Sequence, residues 1–182
     1  MKTRPKRLIT KRLYLREPRY SDWPSVQEYA SDLKIVRYMV WGPNTPTQTK
    51  DFVRLCLRQL IKKPRRRYDW AMEVKPSGKM IGICGLGITS PKDREGGEMG
   101  YCLNRKFWGK GYTTEATKAM IRFGFQKLGL RRITATCDSQ NKAAARVLEK
   151  AGMRKEGYFR RNVFQKGKWR DTFFYAVLKP KR

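Results

Sequence analysis

The strand-like segment Glu98-Met99-Gly100-Tyr101-Cys102-Leu103 is followed closely by Trp108-Gly109-Lys110-Gly111-Tyr112-Thr113-Thr114-Glu115-Ala116, which opens a helix. The first turn of a helix leaves backbone N–H groups unpaired and carries partial positive charge. Glycines let the main chain approach a ligand closely. The segment therefore predicts an anion-binding cradle at a helix N-terminus. Turns between a strand and a helix often contain glycine without any ligand, so this motif alone leaves both interpretations open.

A second motif begins thirty residues after Gly111, at Asn141-Lys142-Ala143-Ala144-Ala145-Arg146-Val147-Leu148-Glu149-Lys150-Ala151-Gly152-Met153. Asn141 is a favourable N-cap residue, and Gly152 stands where a helix commonly ends in a left-handed conformation. An apolar stripe with helical spacing connects these two ends: Ala144, Val147, Leu148 and Ala151. The segment predicts a capped helix packed on one face.

With both motifs in this order, the chain resembles the GNAT superfamily of acyl-CoA N-acyltransferases. Within it, the chain is most similar to the RimJ/RimL-like branch, which acetylates N-terminal amines of ribosomal proteins. The resemblance extends from about Leu8 to Leu178. The family cradle, Q/R-x-x-G-x-G/A, falls on Trp108, Gly111 and Thr113. The later signature, N-x-x-S followed by E-K-x-G-F, falls on Asn141, Ala144, Glu149, Lys150, Gly152 and Met153.

Length and composition indicate one globular domain. The chain has 182 residues, of which 40% are hydrophobic, and its apolar segments are spread throughout. This length predicts a single domain over residues 1–182 that is large enough to bury a core. No stretch approaches the roughly 20 apolar residues that span a bilayer. The Met1–Arg7 segment lacks the apolar core of a signal peptide.

The cysteines and the missing histidine exclude several kinds of site. The four cysteines lie far apart in helix- or strand-like segments, at Cys56, Cys84, Cys102 and Cys137. This is typical of small core residues in a reducing compartment, so we expect a cytoplasmic protein without disulfides or a metal site. The chain has no histidine. That absence removes the commonest general base, the Ser–His and Cys–His systems and most catalytic zinc sites.

The charge balance predicts anionic partners. Formal net charge is +28, from 43 Lys and Arg against 15 Asp and Glu, with one basic run at Lys62-Lys63-Pro64-Arg65-Arg66-Arg67. A field of this size attracts polyanions and speeds their encounter. It favours coenzyme A, which carries a pyrophosphate and a ribose phosphate, and also RNA or a ribosome at low salt. It repels free polyamines or aminoglycosides over most of the surface.

Periodicity and turn chemistry predict the order of elements. One strand is expected at Thr10–Arg16, helical segments from Ser21 to about Met39, and a helix opened by Thr47 or Thr49. Strands follow at Tyr68–Lys75, Met80–Thr89 and Glu95–Leu103, then a helix at Thr114–Leu128, a strand at Arg132–Cys137, the Asn141 helix, and strands at Lys155–Gln165 and Lys168–Leu178. The glycines at 82, 85 and 87 have the wrong order for a dinucleotide fingerprint and indicate a strand with a bulge or close packing.

This order predicts an α/β (α+β) domain with a mixed, mostly antiparallel sheet and helices on both faces. The resemblance implies the GNAT fold, in which the Glu98 strand and the Arg132 strand are the central parallel pair. These two strands would splay apart, and the V-shaped gap would receive the pantetheine arm of acetyl-CoA.

The resemblance also implies the cofactor-binding residues. Main-chain N–H groups from Gly109 to Thr114 would hold the pyrophosphate. Main-chain groups of Cys102 and Leu103 would pair with pantetheine and direct one N–H at the acetyl carbonyl, and Asn141 would bind the arm while capping its helix. The implied set is Cys102, Leu103, Trp108, Gly109, Lys110, Gly111, Tyr112, Thr113, Thr114, Asn141 and Arg146, the lysine and arginine adding countercharge.

Proton transfer is less clearly marked in the sequence. Glu98 is the candidate general base, and a structural, hydrogen-bonded glutamate is the alternative. The family serine position holds Ala144, the tyrosine position of other branches holds Leu148, and a second carboxylate would fall near Val163. Tyr101 and Tyr158 are spare phenols that the sequence does not assign, and water can protonate a thiolate leaving group.

Three functions follow from these observations. The first is acetyl transfer to a protein N-terminal α-amine, of the ribosomal-protein type. The second is acetylation of a small amine or an amine antibiotic. The third is a CoA-binding, RNA-associated domain without turnover, although no recognisable RNA motif with aromatic stacking residues is present. The sequence leaves monomer and homodimer equally open.

Overall fold

The structure is a computed structural model that describes residues 7–89 and 96–180. Among these residues, eight strands form one sheet in the order β1-β2-β3-β4-β5-β6-β8-β7. The strands are β1 (Arg7–Ile9), β2 (Leu13–Arg16), β3 (Arg67–Val74), β4 (Met80–Ile88), β5 (Gly96–Leu103), β6 (Arg132–Asp138), β7 (Arg154–Gln165) and β8 (Lys168–Leu178). Every neighbouring pair is antiparallel except β5 and β6. The predicted mixed, mostly antiparallel sheet is confirmed.

Helices cover both faces of this sheet. They are α1 (Trp23–Ala30), α2 (Leu33–Val36), α3 (Pro46–Ile61), α4 (Tyr112–Phe123) and α5 (Lys142–Lys150). The larger core joins α4 and α5 to one face, with Trp70, Met99, Met120 and Leu148 among its buried members. The smaller core joins the three helices α1, α2 and α3 to the other face, around Tyr29, Val53 and Cys102. The two faces are called the helix α4/α5 face and the α1–α3 face below.

The central parallel strands separate soon after they meet. β5 and β6 pair over three positions only, from Gly96 opposite Arg132 to Glu98 opposite Thr134. Beyond them, β5 follows β4 as far as Leu103, and β6 follows β8 as far as Asp138. The main chains of β5 and β6 therefore border an open V-shaped gap at their C-terminal ends, as predicted. Because α4 and α5 each follow one of these strands, both helix N-termini lie at this edge of the sheet.

The N-terminal half differs from prediction in two places. Of the expected strand at Thr10–Arg16, only Leu13–Arg16 is a strand (β2), because the chain bends ahead of it and the Thr10 hydroxyl bonds the Leu13 main chain. Strand β1 precedes this bend and was not predicted. Helix α3 begins earlier than the predicted Thr47 or Thr49. Its N-cap is Thr45, whose side chain forms a capping box with Gln48. The two short helical segments expected before Met39 are confirmed as α1 and α2.

The predicted helix at Thr114–Leu128 is regular only in its first part. α4 starts at Tyr112 and continues after Phe123 as a wider π-helical turn over residues Gly124–Leu128, which Gly129 ends at φ +75°. The register of β4 and β5 is unbroken at Gly100, so this glycine forms no bulge. The close-packing interpretation of the glycine-rich strand is confirmed at Gly82, where an added Cβ would lie 2.4 Å from the Cys102 carbonyl oxygen. Glu95, the predicted first residue of its strand, lies outside the described residues.

In the part of the chain that is described, none of the helices combines the length and the apolar composition that crossing a lipid bilayer requires.

Candidate active site

The glycine motif forms an uncapped helix start at the edge of the gap. Gly109 and Gly111 both have positive φ, +73° and +76°, in the left-handed region that glycine adopts without strain. Gly111 is the N-cap of α4, and no side chain caps this helix. The N–H groups of Tyr112, Thr113 and Thr114 are the first of the helix and lack intrahelical acceptors. The predicted cradle residues thus meet at one helix start with donors available to an anion.

Arg12 supports this loop from a distant part of the chain. Its Nη1 donates to the Lys110 carbonyl oxygen at 2.8 Å, and its guanidinium carbon lies 4.5 Å from the centre of the Tyr112 ring. Its Nε donates to Glu115 at 2.7 Å. The Arg12 guanidinium therefore holds two groups at once: the Lys110 carbonyl of the loop, and Glu115 in the first turn of α4. Sequence motifs did not identify Arg12, because its contacts join residues about a hundred positions apart.

Glu115 completes that support. Its carboxylate accepts hydrogen bonds from the Thr10 hydroxyl at 2.6 Å and from the Arg12 main-chain N–H at 2.7 Å. Burial alone would raise the pKa of Glu115, but the bonds from Thr10 and Arg12 hold that pKa below its ordinary value. The group is therefore a carboxylate at neutral pH. It ties the bend between β1 and β2 to α4.

Trp108 and Lys110 flank the glycines. The Trp108 indole donates to the Leu103 carbonyl oxygen at 3.0 Å, which ties the loop to the end of β5. This contact shows what a tryptophan does at the position where the family motif has Gln or Arg. Lys110 is exposed, with its ammonium 5.5 Å from the Phe107 ring centre, and remains available to a phosphate.

Along the open edge of β5, every second residue directs its main-chain N–H and C=O groups into the gap. The Asn104 N–H donates to the Ile81 carbonyl oxygen at 2.8 Å, so the main-chain groups of Asn104 and Cys102 point at β4. Main-chain polar groups alternate sides along a strand. Those of Tyr101 and Leu103 therefore point into the gap. Of the two predicted residues, Leu103 presents its N–H to the gap, whereas Cys102 is engaged with β4. Tyr101 is the additional residue that the alternation identifies.

The Tyr101 side chain crosses toward α5. Its phenol donates to the Ala144 carbonyl oxygen at 3.1 Å. Ala144 occupies the family serine position, so this phenol lies beside the place where that hydroxyl would stand. Burial raises the pKa of Tyr101, which keeps the phenol protonated at neutral pH. Leu148, at the tyrosine position of other branches, is buried in the core and brings no polar group.

Asn141 and Arg146 lie on α5 as predicted. Asn141 is the N-cap, and its side-chain oxygen accepts from the Ala144 N–H at 3.1 Å. Capping uses only the amide oxygen, so the NH₂ group of Asn141 remains available to a ligand in the gap. Arg146 lies exposed one turn further along the helix.

Glu98 lies where the gap begins, on the opposite face from Tyr101. It is the last β5 residue that pairs with β6, opposite Thr134. Its side chain is exposed and shares the α1–α3 face with Cys102, since alternate strand residues point the same way. The candidate base and the Tyr101 phenol therefore border the gap from opposite sides. An acceptor that enters from the α1–α3 face would meet Glu98 first.

Elsewhere in the fold, the loop between α2 and α3 meets the turn between β7 and β8. The Lys166 ammonium donates to the Val36 carbonyl oxygen, and burial lowers the pKa of Lys166. The Arg170 guanidinium lies 5.9 Å from the Tyr38 ring centre and bonds Asp138 at 2.7 Å. Val163, near which a family carboxylate would fall, is paired with Arg170. These long side chains hold together the two segments beside the end of the gap.

The thiols are poor candidates for a nucleophile, and the described acidic groups form no metal site. The cysteines are free, and burial raises the pKa of Cys102 to about 12 and that of Cys137 to about 11. A thiol with such a pKa is protonated at neutral pH and is a poor nucleophile. Within residues 7–89 and 96–180, no cluster of three or more His, Cys, Asp or Glu side chains is arranged to hold a metal ion.

Comparison with known proteins agrees with this geometry. The family model described as an acetyltransferase (GNAT) domain matches residues 12–154. The uncharacterized N-acetyltransferase YnaD of Bacillus subtilis is 32% identical over 171 residues, covering 94% of this chain and 96% of that protein. The [ribosomal protein uS5]-alanine N-acetyltransferase of Escherichia coli is 34% identical over 82 residues, which is 45% of this chain and 42% of that protein.

A solved structure shares the fold over nearly the whole chain. It is the RimL ribosomal L7/L12 alpha-N-protein acetyltransferase in complex with coenzyme A, with a TM-score of 0.82 at 18% identity, covering 94% of this chain and 96% of that one. The open gap beside an uncapped helix N-terminus and the family match lead to one conclusion: the chain belongs to the GNAT family of acetyltransferases, enzymes that use acetyl-CoA.

Proposed function

We propose that this acetyltransferase transfers the acetyl group of acetyl-CoA to a protein N-terminal α-amine, of the ribosomal-protein type. The observation that carries the proposal is the open edge of β5 beside the uncapped start of α4. The gap fits a narrow pantetheine arm, and the helix start fits a pyrophosphate. We further propose that residues 1–182 act as one domain, in the cytoplasm, as a monomer or homodimer.

The donor is held mainly by the protein main chain. N–H groups from Gly109 to Thr114 bind the pyrophosphate, with Lys110 and Arg146 as countercharges. The open-edge groups of Tyr101 pair with the pantetheine arm, and the Asn141 NH₂ group binds it from α5. The Leu103 carbonyl oxygen is held by the Trp108 indole, so its N–H is the group that Leu103 offers to the donor. Cys102 contributes through its position in the β4 ladder, which aligns its two neighbours.

The chemical step is a direct transfer in a ternary complex. The neutral amine attacks the thioester carbonyl carbon, the new C–N bond forms, and the C–S bond breaks with its electron pair on sulfur. The Leu103 N–H stabilises the oxyanion, a kind of donor typically worth about 10²–10³ in rate. Glu98 accepts the proton of the amine through a chain of water molecules, since Leu103 lies five residues further along β5. The Tyr101 phenol gives its proton to the departing thiolate and regains one from solvent.

An α-amine suits a site with one weakly placed base. Its ordinary pKa is about 7.7–8.0, against about 10.4 for lysine, so a substantial fraction is already neutral near pH 7.5. The names of the E. coli relative and the RimL structure, both ribosomal-protein acetyltransferases, support this class of acceptor. The net charge of +28 also disfavours free polycations.

A panel of acceptors tests the proposal. Thiol release from acetyl-CoA is measured with peptides bearing free N-termini, with the same peptides blocked at the N-terminus but carrying lysine, and with small amines and an aminoglycoside. We expect turnover with free N-termini and little with the others. Preferred turnover of a small amine would overturn the acceptor assignment in favour of the second function and leave the family membership intact.

A further inference from the structure

One face of the β7–β8 hairpin carries an uncovered row of aromatic side chains. Tyr158, Phe164 and Trp169 are 52%, 61% and 59% exposed. The Phe164 and Trp169 rings lie 5.4 Å apart between centroids, and Tyr158 lies 5.6 Å from Phe173. We call these four residues the aromatic row. Two exposed aromatic pairs on one strand pair, with Asp171 between them on β8, mark a candidate interaction surface.

The strand register places the row on the helix α4/α5 face. Tyr158 is directly opposite Phe173, and Phe164 is opposite Trp169, so the members of each pair point the same way. Phe173 contacts the buried Tyr175, whose ring belongs to the core beneath α5. The row thus begins at the core and continues along the hairpin beyond the cover of α5.

Cations flank the row. The Lys155 and Lys142 ammonium groups lie 4.6 Å and 5.8 Å from the centre of the Phe173 ring. They border a cavity of about 670 Å³ that Tyr158 and Asp171 also line. The Asp171 carboxylate is engaged by the Tyr158 hydroxyl and by the Arg161 N–H at 2.8 Å. The lysines therefore present positive charge at the Phe173 end of the aromatic row.

The charge of the hairpin distinguishes between possible occupants. Residues 154–171 contain seven basic side chains (Arg154, Lys155, Arg160, Arg161, Lys166, Lys168 and Arg170) and two acidic ones (Glu156 and Asp171). A two-fold related copy would place equal positive surfaces against each other. The register of the edge strand β7 also shifts between Phe159 and Val163, with Arg161 at φ +48°, which interrupts pairing with another strand. A second copy fits poorly, and a polyanion fits well.

We propose that the aromatic row and its flanking lysines bind single-stranded RNA, with bases stacked on Trp169, Phe164 and Tyr158 and phosphates at Lys142 and Lys155. Aromatic rings on a sheet combined with cations are how single strands are held without a sequence code. The proposal rests on the ribosomal function above, because ribosomal RNA loops would bring the enzyme close to nascent or assembled acceptor N-termini. It assigns a place to the RNA contact that net charge alone leaves undefined.

The test is RNA affinity measured by fluorescence anisotropy with a labelled single-stranded oligonucleotide over a range of salt concentrations. The double variant F164A/W169A should bind about a hundredfold more weakly, since each lost base stack is worth about tenfold, with an unchanged salt slope. K142Q/K155Q should weaken binding and reduce the log–log salt slope by about 1.4. The matched control K62Q/K63Q removes the same charge elsewhere and should have little effect. A duplex of the same sequence should bind more weakly than the single strand.

Equal effects of the two double-lysine variants, or no effect of F164A/W169A, would overturn the proposal in favour of diffuse charge attraction. A dimer in light scattering that F164A/W169A dissociates would also overturn it and assign the row to a second copy. Circular dichroism confirms that each variant is folded. Acetylation of a short free peptide should be unchanged in F164A/W169A, so failure of RNA binding and failure of the proposed acetylation are separate results.

Discussion

The donor side and the acceptor side of the gap are built in different ways. On the donor side, an uncapped helix start is fixed by short hydrogen bonds from Arg12 and Glu115 and by the Trp108 indole. On the acceptor side, two segments are joined by the long side chains of Lys166 and Arg170. Under the function proposed above, main-chain geometry defines the donor site, whereas replaceable side chains define the acceptor site. This division suits a family of enzymes that share one donor and differ in their acceptors.

The largest expected effect comes from the helix start itself. Gly111 has φ +76°, which proline cannot adopt, and proline also removes an N–H. G111P should therefore weaken CoA binding by about a hundredfold or more in calorimetry. G111A is the milder control and should lose less, since alanine enters the left-handed region at smaller cost. An unchanged affinity in G111P would place the pyrophosphate elsewhere.

Removal of the Tyr101 hydroxyl tests the helix side of the gap. Y101F should lower kcat by about a hundredfold with little change in KM, because general acid help typically contributes about 10²–10⁴. Burial raises the pKa of Tyr101, so the wild-type rate should show no loss of this acid through pH 9. Y158F is the matched control and should have normal steady-state kinetics. Equal kcat values in Y101F and wild type would leave protonation of the thiolate to water.

Replacement of Glu98 tests the side of the gap opposite Tyr101. E98Q should slow turnover of an N-terminal peptide by about tenfold below pH 7 and much less above pH 9, where the α-amine, with a pKa near 8, is already neutral. The measurement is kcat/KM over pH 6–9.5 for both proteins, with a peptide of fixed sequence. Parallel profiles for wild type and E98Q would assign Glu98 a structural role.

Arg12 should have the smallest effect, because it supports the donor site without forming it. R12A should weaken CoA binding by about fivefold, as expected for a partly exposed ion pair and its hydrogen bonds. R12K should recover part of this loss, and kcat at saturating donor should be unchanged. A loss of kcat with unchanged CoA affinity would contradict a role confined to the donor site.

The ion pair between Arg12 and Glu115 should make the stability of the protein depend on pH. The folded-state pKa of Glu115 lies below its ordinary value, 4.5. Its contribution to the free energy of unfolding is therefore present above that ordinary value and is lost as pH falls through the folded pKa. Thermal unfolding should show a shallower decline of Tm between about pH 5 and pH 3 in R12A than in wild type.

Local chemistry was predictable from the sequence, and long-range contacts were not. Gly111 and Asn141 were identifiable because a left-handed glycine and an N-cap are properties of a few adjacent residues. The Arg12–Glu115 pair joins residues 103 positions apart, and no local pattern encodes it. Strand β1 and the bend after it were missed because the alternation of Leu13 and Leu15 was extended back to Thr10. The aromatic row depends on the register of β7 and β8, since its members are not adjacent in the chain.

The alternation along β5 shows how the structure refines a motif. Cys102 and Leu103 are equivalent in a sequence pattern, yet only one of two neighbouring residues can present its N–H to the gap. The same alternation adds Tyr101, whose phenol then lies beside Ala144. Ala144 lacks the hydroxyl that the family serine would bring, and the Tyr101 hydroxyl lies beside it.

The high pKa of the Cys102 and Cys137 thiols has a consequence for inhibitor design. Because both thiols stay protonated at neutral pH, neither supplies a thiolate that could hold the acetyl group between two half-reactions. Electrophilic probes aimed at cysteine should therefore leave the enzyme active. A conjugate that joins coenzyme A covalently to an acceptor peptide would span both sides of the gap and should capture the enzyme far more tightly than either half alone.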